Sequence, residues 1–258
     1  MINLYTKQYL FLWRKDAMSG VSKKIILLLS LIFVSVNAQD IEPNEYGLRV
    51  VKALKTYNAI VEKDSNKLLV DIKKIIPDIV LDIRYATSNN FIGEPVYNIA
   101  CAYARLPVVE ALKNIQAELK KENLGLKIFD AYRPYSVTVR FYEKVQDSNY
   151  AASPRNGSRH NRGCAVNLTI IDLKNGKEIV MPTGYDDFTE KAWHNFNDLP
   201  EDVIENREKL KRIMIENGFS ILPSEWWHYD FNGWQNYELM DLSFEELFSI
   251  EKKTELEN

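Results

Sequence analysis

The stretch GCAVNLTIID, residues 163 to 172, constrains this chain more than any other. Its β-branched and aliphatic residues favour an extended backbone. Gly163 precedes the run, and Lys174-Asn175-Gly176 follows with the Asn-Gly pair of a hairpin turn, so it reads as a buried strand that reverses at its end. Side chains alternate along a strand. Ala165, Asn167 and Thr169 therefore share one face, with Cys164, Val166, Leu168 and Ile170 on the other. Asn167 is a polar group among small neighbours, which is what a strand facing a ligand requires. The alternative is an asparagine bonded to backbone, and His160 and Asn167 taken alone favour it.

The rest of the chain supplies the layers. Residues 45–63 carry Leu48, Val51, Leu54 and Ile60 near helical spacing and read as a helix. LLVDIKKII and IVLDIRYA read as strand-like pieces. Residues 106–121 open with Leu106-Pro107 and place Val108, Ala111, Leu112, Ile115 and Leu119 on one helical stripe, with Gly125 as the stop. LKIFDA is a short strand, SVTVRFYEKV a helix, and DVIENREKLKRIMIENG a second strong helix between Pro200 and Gly218. Strands and helices mixed without regular βαβ alternation predict an α+β fold, a single domain with a small, mixed, largely antiparallel sheet flanked by helices.

The formal charge of −3 hides an asymmetry. Residues 1–38 hold five basic residues and one acid, which leaves 28 of the 33 basic and 35 of the 36 acidic residues for the remainder, a balance of −7. Such a surface argues against nucleic acid or an anionic membrane as partner. Lys23-Lys24, the apolar run IILLLSLIFVSV, and Asn37-Ala38 form the parts of a secretory signal with cleavage after Ala38. As a helix that run spans about 18 Å, short of the roughly 30 Å hydrocarbon core, so no permanent anchor is expected. Met18 offers a compact alternative start, with residues 1–17 a mis-chosen beginning. Export, most simply to a periplasm, permits a disulfide between the two cysteines, Cys101 and Cys164; two isolated buried thiols are the alternative.

Reactive side chains gather in two further places. In PSEWWHYDF, residues 223–231, Glu225 and His228 are three apart, which an ideal strand sends to opposite faces and a turn or bulge brings together. An imidazole to hold zinc and a carboxylate to take a proton from water are the parts of metal-assisted hydrolysis; an aromatic edge with surface charge is the bland alternative. In FDAYRPYS, residues 129–136, Pro134 keeps Arg133 out of the helical region and presents its guanidinium at a strand end, fit to stabilise an oxyanion. A plain Asp130–Arg133 pair is the other reading.

Taken in order, IRYATSNNFIGEPVY, DAYRP, SRHNRGCAVNLTIID and SEWWHYDF resemble the zinc D-alanyl-D-alanine dipeptidases, peptidase family M15, over residues 68–245. The resemblance implies a catalytic domain over 68–258 behind a helical extension at 39–67, with one zinc ion in a cleft and a small dipeptide as substrate in cell-wall peptide turnover. By the same resemblance His160 and His228 bind zinc, Glu225 is the general base, and Arg133 stabilises the tetrahedral intermediate. Tyr85 and Ser158 stand around the substrate, and Asp186, with Asp187 as its competitor, receives the substrate ammonium.

The third ligand of the family motif is an aspartate, and this chain has Asn167 there. An amide offers a neutral carbonyl oxygen that suits calcium better than zinc. Two imidazoles and an amide leave the site at +2 instead of +1, which makes its water more acidic and the metal easier to lose. Asp172 lies on the opposite face of a regular strand, and Glu225 as ligand would sacrifice the base. Three readings follow: a zinc dipeptidase, a metal-poor homologue that binds a D-Ala-D-Ala-like ligand without cleaving it, and a wall-associated protein using the fold as scaffold.

Overall fold

The structure, a computed structural model, describes residues 41–147 and 151–256, so the expected signal segment lies outside the described residues. In chain order the elements are β1 (Val50–Val51), α1 (Leu54–Lys63), β2 (Leu69–Asp71), α2 (Ile72–Ile75), β3 (Val80–Leu81), β4 (Tyr103–Arg105), α3 (Leu106–Leu119) and β5 (Leu124–Asp130). There follow α4 (Tyr135–Val145), β6 (Ala165–Asp172), α5 (Glu201–Glu216), β7 (Phe219–Leu222), β8 (Glu225–Phe231), β9 (Leu239–Met240) and α6 (Phe244–Leu256). Among these described residues no helix is long and apolar enough to cross a membrane.

Five strands form the main sheet in the order β3-β5-β6-β8-β7, with β3 parallel to β5 and every other pair antiparallel. The α+β class with a mixed, largely antiparallel sheet is therefore the observed one. Seven of the eight residues of β6 are buried, from Ala165 to Ile171, because layers cover both faces. This explains why the strand reads as a continuous apolar run instead of a strict alternation. The Asn-Gly turn forms as expected: Gly176 adopts φ 72°, Asp172 N–H donates to Lys177 O at 2.8 Å, and Ile171 bridges Glu178. Asp172 caps that turn, accepting from Lys174 N–H at 2.7 Å, and takes no part in the cleft.

Local corrections have local causes. The helix expected from residue 45 begins at Leu54, because Val50 and Val51 pair instead with Leu239 and Met240 as parallel strands. LLVDIKKII is a strand for three residues only; the Asp71 carboxylate then accepts from Lys73 N–H at 2.8 Å and starts the short helix α2. IVLDIRYA likewise has two strand residues before a 3-10 turn at Arg84–Ala86. Helix α3 ends at the left-handed Asn123, φ 58°, and not at Gly125, which lies inside β5. No disulfide joins Cys101 to Cys164.

The described segment before residue 64, residues 41–63, is packed into the domain. Tyr57 and Ile60 of α1 belong to the main core, and the Tyr57 hydroxyl accepts the Leu69 N–H at 2.7 Å. Val108, Leu112, Ile115 and Leu119 of α3 and Leu210 and Met214 of α5 join the same core.

Candidate active site

One row of the sheet positions most of the chemistry. The register sets Asp130 of β5 opposite Asn167, and Asn167 opposite His228 of β8. Residues directly opposite on neighbouring strands present side chains to the same face. Two irregularities bring further groups to it. A register shift between Ile128 and Asp130 turns the end of β5, and another between Ile221 and Leu222 pairs Leu222 with Glu225 while Ile221 pairs with Tyr229. The second bulge breaks the alternation of β8. Glu225 and His228, three apart, thereby converge, with Glu225 Oε2 3.9 Å from His228 Nδ1.

His160 arrives from a different element, the 3-10 turn His160–Arg162 ahead of β6. Gly163 closes that turn at φ 68°, a conformation that favours glycine, and a Cβ there would stand 2.5 Å from Leu69 Cδ2 and push that side chain aside. Asn161 ties the turn to the Arg133 segment by donating to Arg133 O at 3.0 Å and Thr138 Oγ1 at 2.7 Å, while Arg133 N–H donates to His160 O at 3.1 Å. Ser158 accepts the His160 N–H on its Oγ at 3.2 Å.

The two imidazoles are oriented by their outer nitrogens. His160 Nδ1 lies 2.6 Å from the Ala131 carbonyl and His228 Nε2 lies 2.9 Å from Asp230 Oδ1, so each of these nitrogens carries a proton toward a strong acceptor. The inner nitrogens, His160 Nε2 and His228 Nδ1, then face each other at 3.3 Å. Two lone pairs at that distance repel unless a cation, either a proton or a metal ion, lies between them. Burial, Arg133 and His228 together hold the His160 pKa well below 6.5, while Asp230 and Glu225 outweigh burial to raise that of His228.

Asn167 completes the row. Its Nδ2 donates to the Tyr185 hydroxyl at 2.9 Å, which fixes the amide and leaves Oδ1 buried without a hydrogen bond of normal geometry. An orphaned carbonyl oxygen beside two inward imidazole nitrogens fits a cation, though with one hard anion fewer than zinc prefers. Among the described residues no group of three or more His, Cys, Asp or Glu side chains is placed to hold a metal.

Around this centre is a cleft of about 310 Å³ lined by Tyr85, Arg133, Ser158, His160, Asn167, Asp186, Glu225 and His228, with Phe91, Phe141, Phe188 and Trp227 as aromatic walls. Every site residue expected from the sequence is there, and of the two competing acids it is Asp186. Asp187 instead accepts the Thr189 N–H at 3.0 Å. Asp186 adopts φ 62° and accepts from the Tyr85 hydroxyl at 3.2 Å and Phe91 N–H at 3.3 Å. Burial pushes its carboxyl up to about 7 despite those donors. Burial also raises the Glu225 carboxyl, with His228 and Arg133 opposing.

Arg133 forms the expected pair with Asp130 and also lines the cleft. Its Nη2 and Nε donate to Asp130 Oδ2 at 2.7 and 3.1 Å, and its guanidinium stacks 5.1 Å from the Tyr85 ring and 4.7 Å from Phe141 while still lining the cleft. Burial opposes its charge, but Asp130 outweighs burial and keeps it cationic. Sequence reasoning missed Asp230 and the aromatic walls. Asp230 was discernible as the residue two beyond His228 on one strand face; the walls come from separate loops and carry no local signal.

The D-ala-D-ala dipeptidase model of family M15 matches residues 64–246. A D-alanyl-D-alanine dipeptidase of Escherichia coli is 31% identical over 172 residues, covering 67% of this chain and 89% of the relative. Similar proteins of the same description come from Enterococcus faecium, 27% identical with 61% of this chain and 88% of the relative covered, and Enterococcus faecalis, 29% identical with 57% and 83% covered. A cleft in which two oriented histidines, an acid and a buried arginine meet, within a chain matched by the family model over most of its length, places this protein in the M15 family of D-Ala-D-Ala dipeptidases, as a peptidase.

Proposed function

We propose that this chain is an exported dipeptidase that hydrolyses D-alanyl-D-alanine in cell-wall peptide turnover, with one zinc ion held by His160, His228 and Asn167. In this reading residues 68–258 are its catalytic domain and 39–67 an N-terminal extension. The observation that carries the reading is the pair of inner nitrogens 3.3 Å apart, each imidazole locked by an acceptor behind it. When bound, zinc supplies Lewis acidity to the scissile carbonyl and to the attacking water.

The chain's own residues do the rest. Glu225, its basicity strengthened by burial, takes the proton of the attacking water and returns it to the departing amine. Arg133, held charged by Asp130, donates to the oxygen of the tetrahedral intermediate. Asp186 receives the substrate ammonium, with Tyr85 fixing its carboxylate and Ser158 at the cleft wall. Phe91, Phe141, Phe188 and Trp227 give the cleft apolar walls against which small side chains can pack.

The second reading, a ligand-binding homologue poor in metal, draws on the amide at 167 and the absence among the described residues of a three-membered acidic, imidazole or thiolate cluster. Zinc content and D-alanine release, measured for the protein and for Asn167→Asp, separate the two. The dipeptidase reading expects turnover in both, with zinc held more tightly after the substitution. Activity in Asn167→Asp alone sustains the binding reading, and stoichiometric zinc with unchanged turnover overturns the weight placed on the amide.

A further inference from the structure

The charge balance of the metal centre leads to a residue outside the cleft lining. Two neutral imidazoles and an amide leave a divalent cation with no anionic ligand, and the carboxylates nearby are mostly committed. Asp130 Oδ2 lies 3.6 Å from His160 Nδ1, but that nitrogen is bonded to Ala131 O at 2.6 Å and the Asp130 charge is paired with Arg133 at 2.7 Å, its other oxygen accepting from the Tyr97 hydroxyl at 2.8 Å. Glu225 serves as base, Asp186 is held by Tyr85 and Phe91, and Asp172 caps the hairpin turn. Asp230 remains. It is 7% exposed, and its Oδ1 lies 2.9 Å from His228 Nε2.

The strand geometry makes that contact fixed. His228 and Asp230 are two apart on β8 and share a face, and the register sets Asp230 opposite Ala165, whose small side chain leaves space for the carboxylate. Its other oxygen is 3.5 Å from Arg159 Nε. Arg159 offsets that charge only in part, because its side chain is 46% exposed and its guanidinium also lies 4.8 Å over the Trp234 ring.

We propose that Asp230 is a positioning residue that holds His228 with its Nδ1 lone pair inward and supplies, one ring removed from the metal, the negative charge that Asn167 does not. A carboxylate accepting from the outer N–H of a ligating imidazole raises the donor strength of the inner nitrogen. The centre thereby regains part of the anionic character an aspartate at 167 would give. The inference rests on the zinc reading above.

The test is a four-protein cycle of zinc dissociation constants, measured on the metal-free full protein by competition with a chelating dye: the protein itself, Asp230→Asn, Asn167→Asp and the double variant. Asparagine at 230 still accepts from His228 Nε2 through its carbonyl, so orientation is kept and charge alone is removed. Asp230→Asn is expected to weaken zinc about 10- to 100-fold beside Asn167 and far less beside Asp at 167. An unchanged constant, or equal losses in both backgrounds, overturns the compensation while leaving the zinc site standing. Zinc bound by Asn167→Asp but not by the native sequence also overturns it. Failure of every protein to bind zinc removes the zinc reading and this inference together. If Asp230→Asn unfolds when metal-free, Arg159→Gln serves instead. Freeing Asp230 of its neighbouring cation should tighten zinc about two- to fivefold, and no change or a loss overturns the proposal.

Discussion

The three histidines of this chain divide into two kinds, although all are buried: His160 is 2% exposed, His194 5% and His228 7%. In the cleft each ring has an acceptor behind one nitrogen and its other nitrogen aimed at a partner ring. His194 sits on the far side of the sheet, edge-on to Tyr229 at 6.1 Å and close to Arg207 and Lys211 of α5, and neither of its ring nitrogens makes a hydrogen bond of normal geometry to the protein. Burial is thus common to both kinds and distinguishes nothing. What makes a site is the acceptor that fixes the tautomer and so decides where the lone pair points.

Replacing histidines one at a time tests this contrast most severely. His160→Ala and His228→Ala should each lower D-alanine release about a thousandfold or more and abolish zinc retention. His194→Phe, which substitutes an apolar ring for one without hydrogen bonds of normal geometry, should stay within about threefold of the native rate. A large loss of activity in His194→Phe would show that burial alone was the operative property.

Next in size is an acid-stability difference. Burial, aided by the lysine and arginine nearby, lowers the His194 pKa to about 4 from its ordinary 6.5. Between those values the unfolded chain binds a proton that the folded one refuses, so stability falls as pH drops through this window, by up to about 3 kcal/mol. His194→Phe removes that contribution. Urea midpoints at pH 7 and pH 4.5 should therefore lie closer together in the variant than in the native protein.

The smallest effect concerns Asp186. Asp186 titrates at about 7, mainly through burial, and loses its charge as pH falls through that point. In the proposed role its hold on the substrate ammonium weakens on the acid side, so KM for the dipeptide should rise there. Asp186→Asn should raise KM about tenfold at pH 8 and flatten its pH dependence, with kcat changing less. A KM that follows pH equally in both proteins would remove Asp186 from ammonium binding.

Much of the site was legible because its motifs are local. SRHNRG encodes a tight turn whose left-handed close favours Gly163, and EWWH follows a two-residue turn at Pro223-Ser224 that starts the bulge. Helices α3 and α5 announced themselves by stripe and proline, since their burial is periodic in sequence. Strand β1 did not. Its two residues resemble the helix they precede, and only their pairing with β9, almost two hundred residues onward, makes them extended.

By itself, the sequence determined the kinds of groups available and their local presentation: a buried strand carrying Asn167, an imidazole after a turn, an arginine before a proline, and an amide where the family pattern has an acid. Tertiary structure alone decided which of them meet. The row Asp130, Asn167, His228 depends on the register of three strands, the choice of Asp186 over Asp187 on one left-handed residue, and the partnership of His228 with Asp230 on which face β8 turns to the cleft. Hydrogen-bonded register and bulges are properties of paired strands, so no single stretch of chain can specify them.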